Sequence, residues 1–217
     1  MRLRPSAADL PGQAAGNSQL AAARLYVITP DAPGDRVVDI AVAAQRGGAD
    51  VIQLRHKAMA RGELLELART LRGLITQALF IINDHADIAM LSGADGVHLG
   101  PDDLSPKSAR KVAGDRLLIG VSASAAGAVP PEADYVGCGP AFTTPLKPHK
   151  GVVGPAGVAA LAARVGVPVF AIGGIDETNV GQLTALGVHR ICVIRAVGDA
   201  ADPEQATRRL RAMLDSA

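Results

Sequence analysis

The feature that most constrains this chain is an alternation of two kinds of segment, repeated eight times from residue 25 to the C-terminus. Short runs rich in Val and Ile are typical of β-strands. They alternate with longer segments rich in Ala, Leu and charged residues, which are typical of helices. The predicted strands are Leu25–Thr29, Val51–Arg55, Leu79–Asn83, Gly96–Gly100, Leu118–Ser122, Tyr135–Gly139, Val169–Gly173 and Arg190–Arg195.

Helices follow these strands, and strands that alternate with helices form right-handed crossovers and a parallel sheet. Eight such units predict an α/β fold, a single (β/α)8 TIM barrel over residues 21–217. The alternative is an open doubly wound sheet, which usually carries a GxGxxG loop after its first strand. Here Pro30-Asp31 follows the first strand, so the barrel is favoured. The predicted helices are 35–47, 61–77, 85–93, 105–113, 124–132, 155–165, 176–186 and 202–215, the fifth shortened by Pro130 and Pro131.

Composition excludes several classes of protein. Lys plus Arg number 22 and Asp plus Glu 21, so the net charge of +1 predicts no nucleic-acid partner. No apolar run reaches the roughly 18 residues of a membrane span, and two Cys do not make a disulfide framework. We therefore expect a cytoplasmic protein with no membrane partner. Residues 1–20 lack the apolar stretch of a secretory signal and are predicted to be a disordered tail.

The alternation of side chains along the strands predicts a polar cavity. Successive strand residues face opposite sides, so the branched apolar set faces the helices and the small or polar set faces the barrel interior. The polar set is concentrated at the carboxyl ends of the strands, where barrel active sites form. His98 is expected to point inward beneath the site, where it either has a structural role or supports the ligand-binding residues; a direct ligand contact is the alternative. Cys138 and Cys192 are expected on the apolar face as inert buried thiols.

The second strand ends with three cationic or amide side chains that alternate along the chain and so face the same side: Gln53, Arg55 and Lys57. A guanidinium and an ammonium that converge are suited to phosphate oxygens. A solvated charge cluster in a loop is the alternative, and this segment alone leaves both open.

Acidic residues follow the third and fourth strands. Asp84 comes after Asn83, and Asp102 and Asp103 come after Gly100. Because adjacent strands lie about 4.8 Å apart, these carboxylates could share a Mg²⁺ ion with a substrate phosphate. Each could instead cap the helix that follows it.

Two further loops offer phosphate-binding groups. The loop after the sixth strand contains Lys147, and the seventh strand ends in Gly173-Gly174. The eighth strand ends at Ile194-Arg195. Loops after the seventh and eighth strands of barrels often bind phosphate through backbone N–H groups.

Taken together, these segments resemble the thiamine-phosphate synthase family from about Arg24 to the C-terminus. The motifs that carry the resemblance are Gln53-Leu54-Arg55-His56-Lys57, Ile82-Asn83-Asp84, Ala94-Asp95-Gly96-Val97-His98-Leu99-Gly100, Gly120-Val121-Ser122, Val136-Gly137-Cys138-Gly139-Pro140, Lys147 and Ile172-Gly173-Gly174-Ile175. The resemblance implies a (β/α)8 barrel and a Mg²⁺-dependent transferase. The implied reaction joins hydroxymethylpyrimidine diphosphate to thiazole phosphate through a carbocation-like transition state, releasing diphosphate.

The resemblance also implies roles for individual residues. The pyrimidine diphosphate is held by Gln53, Arg55, Lys57, Asn83, Ser122 and Lys147, of which Arg55, Lys57, Ser122 and Lys147 act on the leaving group. The magnesium ligands are Asp84 and Asp103. The thiazole phosphate pocket is formed by Thr144, Leu146, Gly174 and the backbone at Ile194 and Arg195.

The sequence departs from the family pattern at three positions. Pro101 stands where the family usually has Gln, Thr143 replaces a Pro, and Leu146 replaces a Thr whose hydroxyl would bind the thiazole phosphate. Three alternatives stay open: a thiazole tautomerase-like isomerase, a non-catalytic barrel that binds thiamine precursors, and a phosphosugar or indole-pathway barrel. The sequence also leaves open whether the chain forms a homo-oligomer.

Overall fold

Eight parallel strands form a closed barrel in the order of the sequence, with the eighth strand pairing with the first. The computed structural model describes residues 11–124, 126–144 and 151–216, with side chains from residue 16 onward. The predicted (β/α)8 barrel is confirmed. Its strands are β1 Leu25–Ile28, β2 Val51–Leu54, β3 Leu79–Asn83, β4 Gly96–Leu99, β5 Leu118–Ala123, β6 Tyr135–Cys138, β7 Val169–Ile172 and β8 Ile191–Val193.

Helices surround this barrel. They are α1 Pro11–Ala22, α2 Gly34–Arg46, α3 Arg61–Leu74, α4 Ala86–Ser92, α5 Pro106–Ala113, α6 Gly154–Arg164, α7 Val180–Thr184, α8 Arg195–Gly198 and α9 Pro203–Asp215. In the part of the chain that the structure describes, no helix has the length and apolarity needed to cross a membrane.

Two helix predictions need correction. The predicted helix 124–132 is absent from residues 124 and 126–132, because Pro130 and Pro131 lack the N–H groups that a helix needs. The predicted helix 176–186 is reduced to α7, because Asp176 forms a polar turn instead. Its carboxylate accepts the backbone N–H of Thr178 at 2.8 Å, and its own N–H donates to the side chain of Asn179 at 3.0 Å.

The segment expected to be a disordered tail is helical from Pro11 onward. Leu20 near the end of α1 is 3% exposed and belongs to the apolar cluster inside the barrel. The amino-terminal end of the barrel would otherwise expose apolar side chains such as Leu79 and Leu118, and covering them favours an ordered helix. Residues 1–10 lie outside the described part of the chain.

The apolar core has two layers, of which the strand parity predicts only the outer one. The outer layer packs strand residues such as Ile52 and Val97 against the helices, and the inner layer fills the barrel around Tyr26 and Phe170. The expected position of Cys192 is wrong. It pairs in register with Tyr26 and faces the inner layer, where burial raises the pKa of its thiol and keeps it neutral.

Three aspartates stand directly before alternate strands at the amino-terminal end of the barrel: Asp50, Asp95 and Asp134. Each carboxylate accepts a backbone N–H from the strand before it and binds an Arg side chain from the surrounding helices. The N–H donors are Leu25 at 2.9 Å, Phe80 at 2.7 Å and Ile119 at 2.7 Å, and the Arg partners are Arg211, Arg72 and Arg110. The three carboxylates therefore tie consecutive strands and helices together away from the cavity.

Candidate functional site

A cavity of about 180 Å³ opens at the carboxyl ends of the strands. All eight strands contribute to its wall, which combines apolar rings with polar side chains. The predicted residues that line it are Gln53, Arg55, Asn83, Ser122 and Thr144. Space for the cavity comes partly from Gly137 and Gly139, where a larger side chain would reach the His98 ring or the backbone of Ile172.

Arg55 at the cavity wall is held by an acid that sequence reasoning missed. Its guanidinium Nη1 donates to Oδ2 of Asp31 at 2.9 Å, and the backbone N–H of Lys57 donates to Oδ1 of Asp31 at 2.6 Å. Burial raises the pKa of Asp31, but the Lys57 N–H and the Arg55 charge outweigh it, and the net pKa is lowered. The position of Asp31 directly after the first strand was the available signal.

Lys57 and the two predicted metal ligands form a second cluster. The Lys57 ammonium donates to Oδ2 of Asp84 at 2.7 Å, and the carboxyl groups of Asp84 and Asp103 share a hydrogen bond. Burial raises the pKa of Asp84, but the hydrogen bonds from Lys57 and Asp103 lower it below its usual value. Burial and the neighbouring Asp84 raise the pKa of Asp103 above its usual value.

The backbone at Asp84 in this cluster has an uncommon conformation. Asp84 has φ of 65°, a left-handed conformation that non-glycine residues seldom adopt and that often occurs at functional sites. The helix-capping alternative does not hold for Asp84 or Asp103. The first turn of α4 receives no side-chain cap, and α5 is capped by Ser105, which accepts the Ser108 N–H at 3.2 Å. Asp103 instead accepts the Gly100 N–H at 2.7 Å.

A chain of hydrogen bonds runs from the buried Gln53 and Tyr26 across the cavity to Ser122, which is exposed. Gln53 Nε2 donates to the Tyr26 hydroxyl at 2.8 Å, and that hydroxyl is 2.9 Å from the Tyr135 hydroxyl. The Tyr135 hydroxyl is 3.3 Å from His98 Nδ1, and His98 Nε2 is 3.1 Å from Ser122 Oγ. The sequence predicted Gln53 and Ser122 at the site and His98 beneath it in a structural or supporting role, but both tyrosines were missed.

A second cavity of about 270 Å³ lies beside the first, between the loops that follow β6, β7 and β8. The predicted phosphate-pocket residues that line it are Thr144, Gly174, Ile194 and Arg195. At Gly174 φ is 67°, and an added Cβ would lie 2.5 Å from the carbonyl oxygen of Thr143, so only glycine fits there. The Arg195 Nε donates to Asp199 at 3.0 Å.

Two of the predicted site residues, Leu146 and Lys147, lie outside the described residues. The other predicted residues lie at the same end of the barrel, either in the walls of the two cavities or in the cluster around Lys57. Within the described ranges, no group of three or more His, Cys, Asp or Glu side chains could hold a metal ion by itself. A metal at Asp84 and Asp103 would therefore need ligands from a substrate or from water.

The fold and the site define a (β/α)8-barrel protein with two adjoining ligand cavities at the carboxyl ends of its strands. The family model for thiamine monophosphate synthase matches residues 25–197. The chain belongs to this family, and the resemblance seen in its sequence is confirmed.

Individual relatives agree with the family match. The thiamine-phosphate synthase of Laribacter hongkongensis is 42% identical over 195 residues, which cover 86% of this chain and 92% of that protein. The thiamine-phosphate synthase of Thermosynechococcus vestitus is 42% identical over 198 residues, but this chain spans only 56% of its length. Among solved structures, the thiamine phosphate pyrophosphorylase of Pyrococcus furiosus superposes with a TM-score of 0.81 at 36% identity, covering 92% of this chain and 98% of that one. The relatives' names therefore support a thiamine-phosphate synthase, which is a transferase, as predicted.

Proposed function

We propose that this chain condenses 4-amino-2-methyl-5-hydroxymethylpyrimidine diphosphate with 4-methyl-5-(2-phosphoethyl)thiazole to form thiamine phosphate and diphosphate. The observation that carries this proposal is the pairing of two cavities. One is lined by Arg55 and Asn83, and the Lys57–Asp84 ion pair follows the same two strands; the other is walled by a glycine loop and Arg195. A transferase that joins two phosphorylated substrates needs such adjoining sites.

The first cavity suits the pyrimidine diphosphate. Arg55 lines this cavity and Lys57 follows it two residues later, and a diphosphate could replace Asp31 and Asp84 as their partner. Asn83 at the end of β3 and Ser122 near the end of β5 line the cavity and offer an amide and a hydroxyl to phosphate oxygens. Lys147 is proposed to join them from the loop after β6.

Asp84 and Asp103 are proposed to hold Mg²⁺. Their two carboxyl groups are close enough to share a hydrogen bond, and hard carboxylate oxygens are what Mg²⁺ prefers. Mg²⁺ usually takes one or two protein carboxylates and completes its shell with phosphate and water, which fits a pair better than a closed protein cage. When bound, the ion would neutralise charge on the diphosphate leaving group.

The residues present suit a dissociative substitution. Arg55, Lys57 and Ser122 stabilise the diphosphate as its bond to the pyrimidine methylene carbon breaks and a carbocation-like transition state forms. Thr144, Gly174, Ile194 and Arg195 hold the thiazole phosphate in the adjoining cavity, so that the ring nitrogen can attack that carbon. The step transfers no proton and needs no protein nucleophile, and the chain acts by positioning and electrostatic stabilisation.

The test is to incubate the purified chain with both phosphorylated precursors and Mg²⁺ and to measure thiamine phosphate and released diphosphate. We expect both products in equal amounts, and none when either precursor or Mg²⁺ is left out. Magnesium-independent isomerisation of the thiazole phosphate would favour a tautomerase instead. Tight binding of a precursor without any product would favour a carrier or regulator, and either result contradicts the proposal.

One expectation extends the proposal to the cell. We propose a cytoplasmic location, which is supported by two buried free cysteines, Cys138 and Cys192, and by the phosphorylated precursors. Self-association of the chain can be measured by sedimentation.

A further inference from the structure

We propose that Tyr26, Tyr135 and His98 are positioning residues that fix the hydrogen-bonding polarity of both ends of the pyrimidine cavity. Through them Gln53 is held as an acceptor toward the amino group of the pyrimidine, and Ser122 is held as a donor toward the diphosphate. This inference rests on the proposed function of the first cavity, and it concerns residues that do not themselves act on the leaving group.

The polarity follows from counting protons along the chain. Gln53 Nε2 can only donate, so the Tyr26 oxygen is an acceptor in that bond. The single Tyr26 proton is then available to Tyr135, and the single Tyr135 proton to His98 Nδ1. With Nδ1 as an acceptor, the neutral imidazole carries its proton on Nε2 and donates it to Ser122 Oγ.

With the Gln53 amide oriented as it is in the structure, the opposite polarity leaves a proton without an acceptor among these hydrogen-bonded groups. If His98 Nδ1 donated to Tyr135 and Tyr135 to Tyr26, the Tyr26 oxygen would accept from both Tyr135 and Gln53. The Tyr26 proton would then have no acceptor among these groups, and an unmade hydrogen bond in a buried site costs free energy. Burial also raises the pKa of Tyr26 and of Tyr135, so each hydroxyl keeps the one proton that this count needs.

The two ends of this hydrogen-bonded chain, Gln53 and Ser122, face the ligand. Gln53 is 1% exposed, and its Oε1 has no hydrogen-bond partner within the described residues although it lines the cavity. A buried acceptor of this kind is satisfied by an amino group and is opposed by a carbonyl oxygen. At the other end, the hydroxyl proton of Ser122 is left for a phosphate oxygen, because its oxygen already accepts from His98.

The first experiment compares the aminopyrimidine diphosphate with its 4-oxo analogue. Dissociation constants are measured by calorimetry with Mg²⁺ and without the thiazole, for the unmodified chain, Tyr26→Phe and Tyr135→Phe. We expect the unmodified chain to favour the amino compound by at least about tenfold. Each Phe variant should lower this ratio by about fivefold or more, because the amide of Gln53 becomes free to turn over.

Cys192→Ala is the matched control. Its thiol lines the same cavity in register with Tyr26 but lies outside the hydrogen-bonded chain, so the ratio should stay within about twofold. A ratio that both Tyr variants retain, or that only Tyr26→Phe lowers, would overturn the inference. So would an unmodified chain that shows no preference.

The second experiment needs neither ligand nor variant activity. Nitrogen-15 NMR of the imidazole rings, with His98 assigned by comparison with His98→Gln, reports which ring nitrogen carries the proton. The inference requires the Nε2–H form, and an Nδ1–H form would overturn it. A chain that shows the expected tautomer and preference but makes no thiamine phosphate would contradict the proposed function alone.

Discussion

At the scale of single residues, both cations that are proposed to bind the diphosphate already have carboxylate partners. Arg55 is bound by Asp31 and Lys57 by Asp84. These ion pairs hold the two side chains near the position where the diphosphate is proposed to bind, which lowers the conformational entropy lost on binding. When the diphosphate and its metal bind, they must therefore replace Asp31 and Asp84 as the partners of these cations.

Removing Lys57 should affect turnover far more than folding. Lys57→Ala and Asp84→Asn are expected to slow thiamine phosphate formation by roughly 100-fold or more, because charged groups that stabilise the leaving diphosphate are lost. Asn tolerates the left-handed backbone of position 84, so the fold should be retained. Turnover and urea denaturation are measured on the same samples. Lys111→Ala, an exposed position on α5, is the control, and unchanged turnover in both site variants would defeat the assignment.

Asp31 should contribute to stability in a pH-dependent way. Its folded pKa lies below the usual value of 3.8, so its contribution is present above that pH and is lost as the pH falls through the lowered pKa. We expect the stability difference between the unmodified chain and Asp31→Asn to be constant near neutrality. It should shrink below about pH 3.8, which urea denaturation across pH 2.5–7 measures. A difference that grew on acidification would contradict this sign.

At the scale of the elements, the Tyr135 ring of β6 packs against β5 at a position that has no side chain. A Cβ at Gly120 would collide with the ring of Tyr135. Gly120→Ala should therefore cost about 1–3 kcal/mol of unfolding free energy and displace a ring of the hydrogen-bonded chain. Gly73→Ala in α3, where an added Cβ meets nothing within 4 Å, is the control and should be neutral or slightly stabilising. Equal stability of the two variants would refute this packing argument.

The aspartates before alternate strands predict a second effect on stability. In Asp134→Ala the Ile119 N–H and the Arg110 guanidinium lose a shared carboxylate, which should cost about 1–3 kcal/mol. Asp134→Asn retains a carbonyl oxygen for the N–H and should cost less. Thermal and urea denaturation measure both. Because Asp134 lies away from the cavity, the proposed activity per folded molecule should be unchanged in either variant.

Much of the site followed from the sequence because the carboxyl ends of parallel strands must meet at one end of a barrel. That rule alone placed Asn83, Asp84, Asp103 and Ser122 together. The tyrosines were harder to predict, because the bond between Tyr26 and Tyr135 joins residues 109 apart in sequence and depends on how the barrel interior packs. The helix 124–132 was predicted wrongly because the alternation of strands and helices suggested eight helices. Two adjacent prolines prevent a helix there.

At the scale of the whole molecule, the two ends of the barrel have different tasks. The carboxyl ends of the strands carry the cavities, and the other end is closed by α1, whose Leu20 is buried in the inner core. Leu20→Ala should therefore lower the unfolding free energy by about 2–4 kcal/mol and leave the KM values of both substrates within about twofold. Steady-state kinetics below the unfolding temperature and urea denaturation test this separation, and a raised KM would contradict it.

The pairing of β1 with β8 has a consequence for the order of events during synthesis. Leu25 pairs with Ile191, so the ring closes only after almost the entire barrel sequence has left the ribosome. Both cavities are walled by residues of β8 or of the segment after it. Contacts between residues so distant in sequence form slowly. An open, half-made ring therefore lacks a complete binding site, and the nascent chain cannot capture either precursor before its last strand has docked.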